Sequence, residues 1–255
     1  MAPTDRPRTE APGILSEIKP SPTDAVDLVR HEFQAARALL DDFIKAPGTL
    51  DRIASAARLV ADAFRAGNKV LACGNGGSAC DSMHFCEEFT GRYRLNRPAL
   101  PAIACIDPGH LTCTANDFGY ENVFARWVEG LGNPGDVLVV LSTSGNSENI
   151  ARAVEAAKKQ GLLTLGLLGK TGGQIKGACD VEWIVPGQVT LAGRTVDLFA
   201  DRIQEIHMLL LHVLIASVES NLAPGGDWTA FEHARHTRGA LATRARGSAE
   251  SNARP

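Results

Sequence analysis

A chain of 255 residues with 44% apolar and 22% charged residues has the composition of a globular protein, and not of a disordered, fibrous or coiled-coil one. At about 150 residues per domain it holds one or two domains with a sizeable core. Its 26 Lys and Arg against 29 Asp and Glu leave a net charge of −3, which lacks the basic excess of a nucleic-acid binder. The charged, proline-broken start MAPTDRPRTEAPG and the lack of a long uncharged apolar run argue against a signal peptide or a membrane partner, so a cytoplasmic protein is expected. The six cysteines, at 73, 80, 86, 105, 113 and 179, form no C-x-x-C pair and are expected to stay reduced.

Residues 1–23 carry five of the 13 prolines and no apolar period, so they are expected to be a disordered extension outside the fold. Apolar residues then recur in steps of three and four at Val26, Val29, Phe33, Ala36, Leu40 and Phe43. After Pro47-Gly48 they recur at Leu50, Ile53, Ala54, Ala57, Val60, Ala61 and Phe64. Both stripes predict amphipathic helices, joined as a helical hairpin. The first could cover the core or meet another subunit.

From Lys69 the pattern changes to short apolar runs, KVLAC (69–73), AIACI (102–106), DVLVVL (136–141), LLTLGLL (162–168) and VEWIV (181–185), each followed by a helical pattern. Such runs predict the strands of a parallel α/β sheet covered on both faces. Ligands of such sheets bind beyond the carboxyl ends of the strands, so the segments after each run should hold the chemistry.

After the first run comes Gly74-Asn75-Gly76-Gly77-Ser78, whose glycines let backbone N–H groups approach a ligand at a helix start. With Ala79 it also spells G-x-G-x-x-A, but a dinucleotide fold wants an acidic residue about 20 residues on. The chain reads Arg92-Tyr93-Arg94 there, which disfavours that reading. After the third run, Ser142-Thr143-Ser144-Gly145-Asn146-Ser147 brings four hydroxyls to one helix start. No Gly-Lys-Ser/Thr follows, so a phosphate monoester is favoured over a nucleoside triphosphate. A plain capping loop would account for one or two of the hydroxyls.

His84 and Glu88 share one helix face at i, i+4. Gln204 and His212 lie eight residues apart on a later apolar helix, about 80° around it, and can reach one ligand. Two imidazoles and two oxygen donors suit Zn²⁺ or a similar divalent ion.

CGNGGS, MHFCEEFTGRY, Asn116-Asp117-Phe118-Gly119, STSGNS and DRIQEIH together resemble the phosphoheptose isomerases (sedoheptulose 7-phosphate isomerases) of the SIS, or sugar isomerase, superfamily. The resemblance implies a three-layer αβα sandwich with a five-stranded parallel sheet, flavodoxin-like, as a SIS domain spanning 24–222 and including the helical hairpin. It implies a cytoplasmic homotetramer with active sites at subunit interfaces. The reaction implied is conversion of sedoheptulose 7-phosphate to D-glycero-D-manno-heptose 7-phosphate through an enediol, the first step toward the heptose of lipopolysaccharide, capsule or other bacterial surface polysaccharides. Asn75, Gly76, Gly77, Ser78, Asn116, Asp117, Glu88 and Gln204 would hold the sugar, and Ser142, Thr143, Ser144 and Ser147 the phosphate. Glu88 and His212 would be the catalytic pair, and His84, Glu88, Gln204 and His212 would bind one Zn²⁺ per subunit.

The chain departs from the family pattern in three places. Ala79 stands where family members often have His, and the link 186–200, PGQVTLAGRTVDLFA, is longer than the family's. Residues 223–255 read as a mobile tail. Two other readings are a non-catalytic SIS tetramer binding a replication initiator protein and an isomerase of another ketose phosphate. Glu88 with His84 and His212 favours catalysis over the first, while substrate length depends on pocket contacts.

Overall fold

A computed structural model describes residues 24–234 and residue 237; the expected N-terminal extension lies outside these. Helices α1 (Asp24–Lys45) and α2 (Thr49–Arg65) form the hairpin, turning at Gly48 with a left-handed φ of 72°. Of its expected stripe helix α2 buries Ile53, Ala57, Val60, Ala61 and Phe64, while Leu50 and Ala54 are exposed. On α1 the face turned inward is Ala35, Leu39 and Phe43, while Val26, Val29 and Phe33 point to solvent at 62%, 54% and 72% exposure. The first half of the α1 stripe is therefore a second apolar face outside the core of this chain.

The strands are β1 (Val70–Gly74), β2 (Ala102–Ala104), β3 (Val137–Ser142), β4 (Leu163–Gly169) and β5 (Val181–Val185). They form one parallel sheet in the order β2-β1-β3-β4-β5. The sequence runs predicted them closely, except that edge strand β2 pairs with β1 over only three residues of its run. Side chains alternate across the pleat. Val70, Ala72, Val137, Val139, Leu165 and Leu167 enter the core layer shared with α2 and with α7 (Ala200–Leu222). Leu71, Cys73, Leu138, Val140 and Leu168 enter the layer under α5 (Val123–Leu131) and α6 (Glu148–Lys159). These layers make the expected αβα sandwich.

Strand order reverses between β1 and β3. That is where a crevice opens at the carboxyl ends of the strands in open α/β sheets. The glycine segment leads from β1 into α3 (Gly77–Thr90), and the serine loop leads from β3 into α6, so both border this crevice. Helix α4 (Pro108–Phe118) follows β2.

The long link folds as an antiparallel hairpin, β6 (Gln188–Leu191) and β7 (Arg194–Asp197). Its two-residue turn, Ala192-Gly193, has φ of 49° and 76°, the paired positive values of a tight hairpin turn. Val189 and Leu198 are buried, and β6 packs on α1. The segment is thus part of the core.

The expected tail begins later than residue 223. Ala223 is buried, residues 229–234 are helical, and Phe231, at 5% exposure, joins the main core with Trp228 against it. The Gly-rich composition masked these two aromatic anchors, and most of the remaining tail lies outside the described residues. Among the described residues α7 alone is long and apolar enough to cross a membrane, but its Ile203, Leu210, Leu211 and Leu214 are buried in the core. All six cysteines are free, and burial pushes the thiols of Cys86, Cys105 and Cys179 up to about 12, so they are inert packing groups.

Candidate active site

The glycine segment turns at Gly76, whose φ is 55°. A Cβ on Gly77 would lie 2.4 Å from the Gln204 side-chain amide, so a side chain here would displace that amide from the glycine turn. Gln204 Nε2 is 3.5 Å from Ser78 Oγ. The Gln204 amide thus sits against the glycine turn.

Asn75 and Asn149 exchange two side-chain hydrogen bonds. Each Nδ2 donates to the other's Oδ1 at 2.9 Å. Tyr120 Oη donates to the same Asn75 oxygen at 2.8 Å. Sequence reasoning missed Asn149 and Tyr120, although each follows a motif it had singled out. Asn149 is 3% exposed and stands in the first turn of α6, so the pair joins the glycine turn to the phosphate loop. Asn116 and Asp117 are exposed at the end of α4, where Asn116 Nδ2 donates to Asp117 Oδ1 at 2.7 Å. From this segment it is Tyr120 that reaches Asn75.

In the phosphate loop, Ser142 Oγ accepts the Gly145 N–H at 3.1 Å and lies 3.3 Å from Ser147 Oγ. Ser144 Oγ accepts the Asn146 N–H at 3.1 Å. Ser142 and Ser144 therefore shape the turn, as a capping reading would have it. Thr143 and Ser147 are half-buried beside them at the start of α6, where backbone N–H groups and the helix dipole favour an anion. A Cβ on Gly145 would fall 2.0 Å from Gly172 O, so this turn seats directly on the loop after β4.

His84, Glu88 and His212 each present one ligating atom within 4.8 Å of the others. His84 Nε2 lies 3.0 Å from His212 Nε2 and 3.5 Å from Glu88 Oε1. Donors about 2.05 Å from a tetrahedral Zn²⁺ stand about 3.4 Å apart, close to the two distances from His84 Nε2. His84 Nδ1 is 3.3 Å from Glu87 Oε1, a contact that favours the proton on Nδ1 and leaves the Nε2 lone pair for the cluster. Burial holds the His212 imidazole below its ordinary pKa, nearby His84 lowers it further, Glu88 opposes and Arg94 adds to the depression. A neutral imidazole is the form that ligates a metal or takes a proton. Tyr93 stacks on His212 with ring centroids 5.8 Å apart, and the Arg94 guanidinium lies 4.9 Å from the Tyr93 ring centre.

The SIS-domain family profile matches residues 33–169. The chain is 52% identical over 200 residues to the phosphoheptose isomerase of Sodalis glossinidius, an alignment covering 78% of this chain and 98% of that protein. Against the phosphoheptose isomerase of Vibrio cholerae it is 51% identical over 197 residues, covering 77% and 98%. Among solved structures, the phosphoheptose isomerase of Neisseria gonorrhoeae superposes with a TM-score of 0.67 at 35% identity, covering 77% of this chain and 99% of that one. The one from Francisella tularensis superposes at 0.69 with 33% identity, covering 77% and 98%.

Proposed function

The chain belongs to the phosphoheptose isomerases of the SIS-domain family, and from that membership we propose how its own residues convert sedoheptulose 7-phosphate to D-glycero-D-manno-heptose 7-phosphate. Turning this ketose into the aldose moves one proton from C1 to C2 and one from the C1 hydroxyl to the C2 oxygen, through an enediol. Glu88 takes the C1 proton and returns it to C2. His212 gives a proton to the C2 oxygen and takes one from the C1 hydroxyl, so its own protonation state is restored over the cycle.

Ser142, Thr143, Ser144 and Ser147, with the first N–H groups of α6, hold the 7-phosphate. Asn75, Gly76, Gly77, Ser78 and Gln204, with Asn116 and Asp117 at the rim, hold the sugar between the phosphate loop and the cluster. His84, Glu88 and His212, with Gln204 as a further oxygen donor, would bind one Zn²⁺ per subunit. Such an ion would polarise the oxygens on C1 and C2 and stabilise the enediolate charge.

The observation that carries this reading is the convergence of His84, Glu88 and His212 beside a glycine turn that the Asn75–Asn149 pair ties to the phosphate loop. We further infer a cytoplasmic homotetramer with active sites between subunits, feeding the heptose of a surface polysaccharide. The free Val26, Val29 and Phe33 face of α1 supports a second copy as its cover.

A coupled assay across ketose phosphates of five, six and seven carbons, and unphosphorylated sedoheptulose, tests the assignment. Turnover is expected to be highest with sedoheptulose 7-phosphate. Preference for a shorter sugar phosphate would overturn the substrate, and equal turnover without phosphate would overturn the role of the serine loop.

A further inference from the structure

We propose that Arg97 and Glu219 form a clamp that holds α3 and α7 at the separation the His84–Glu88–His212 cluster requires, which makes Arg97 a positioning residue for the isomerisation. The two helices meet at three levels. At their starts, Gly77 admits the Gln204 amide. In the middle, His84 Nε2 stands 3.0 Å from His212 Nε2. At the far end, the side chain of Arg97 bridges them.

Its Nε donates to Glu219 Oε1 at 2.5 Å, and its Nη1 donates to Phe89 O at 2.8 Å and to Pro98 O at 3.1 Å. Nη2 donates to Glu88 O. Positions 204, 212 and 219 follow at intervals of about 12 and 10 Å along α7, so the cluster hangs between two fixed points.

The Arg97 side chain is 1% exposed and that of Glu219 15%. A buried ion pair of this kind rarely adds net stability over an apolar pair of the same shape. What it adds is direction, because a planar guanidinium fixes several acceptors at set angles, and a lysine ammonium cannot span the same set. Two of those acceptors are carbonyls of the last turn of α3, where a cation also complements the helix dipole. One of them belongs to Glu88 itself. Any slide or roll of α3 that moves the Glu88 carboxylate away from His212 must therefore break the Arg97 bonds. The sequence analysis did not single out Arg97, because its acceptors on α3 and α7 lie far apart along the chain.

The inference rests on the proposed function, so its test includes a readout independent of turnover. In the full-length protein, Arg97→Lys and Glu219→Gln are expected to lower kcat by about tenfold or more. KM for sedoheptulose 7-phosphate and inhibition by inorganic phosphate should stay within about twofold, since the phosphate loop stands on β3 and α6. Zn²⁺ titrated calorimetrically into metal-free protein should bind about tenfold more weakly.

The double variant Arg97→Met/Glu219→Leu separates positioning from stability. Its melting temperature is expected to recover to near the wild-type value while kcat and Zn²⁺ affinity stay low. It also decides the matter if the single variants fail to fold. Wild-type kcat and Zn²⁺ affinity in Arg97→Lys or Glu219→Gln would overturn the clamp, as would a double variant that regains kcat together with its melting temperature. A wild-type protein inactive on sedoheptulose 7-phosphate would refute the functional reading, while the Zn²⁺ titrations would still judge the clamp.

Discussion

The phosphate loop occupies six consecutive residues, 142–147, between one strand and one helix, whereas the metal-type cluster joins side chains 128 positions apart, His84 on α3 and His212 on α7. The loop's geometry is closed by its own bonds, from Ser142 Oγ to the Gly145 N–H and from Ser144 Oγ to the Asn146 N–H. The cluster has no such local closure. It depends on the packing of α3 against α7, with the Gln204 amide beside Gly77 at one end and Arg97 and Glu219 spanning the other. One half of the site is therefore shaped largely within one segment, seated on the loop after β4, and the other reports on how two helices pack.

Four perturbations would break or sharpen this contrast. The largest effect is expected at the cluster. Glu88→Gln and His212→Gln should each lower kcat by at least about 10²-fold while the phosphate loop goes on binding inorganic phosphate as in the wild type. Steady-state kinetics with phosphate inhibition checks both halves together, and a variant near wild-type turnover would remove that residue from the chemistry.

Chelation should lower activity on the order of tenfold, with recovery on adding Zn²⁺. In His84→Ala the recovery should be lost. Circular dichroism of the chelated protein should remain native, because the helices that carry the ligands are anchored in the apolar core. Loss of the native spectrum on chelation would make the cluster a structural site.

At the loop, Ser142→Ala removes one hydroxyl that is 4% exposed and holds a turn N–H. KM should rise about three- to tenfold with kcat little changed, since one neutral hydrogen bond is at stake. A fall in kcat with unchanged KM would reverse the division of labour drawn here.

The smallest effect concerns stability. His207 is buried on α7, its Nε2–H donates to Leu168 O at 3.1 Å, and burial lowers its pKa from 6.5 to about 4. Because the unfolded chain takes up this proton first, stability is complete above pH 6.5 and is lost as pH falls from there towards 4. Between pH 7 and 5.5 the loss should be about 1 kcal/mol, read from urea unfolding. His207→Gln, which keeps a donor for Leu168 O, should flatten that dependence.

Local periodicity and local chemistry by themselves determined much of this protein. Short continuous apolar runs marked the five strands, the glycine and serine segments marked the turns that line the crevice, and i, i+4 spacing put His84 and Glu88 on one face. These features depend on neighbours a few residues away, so they can be read along the chain.

Tertiary structure alone decided the rest. Strand order and helix packing brought His212 to His84, paired Asn75 with Asn149 and aimed Tyr120 at Asn75. They also set which α1 face is buried, folded 188–197 into a hairpin against α1, and drew Phe231 into the core beyond the expected end of the domain. Each of these is a contact between segments far apart in sequence. Its existence depends on distances through space, which the order of the sheet and the packing of the core create and no periodicity records.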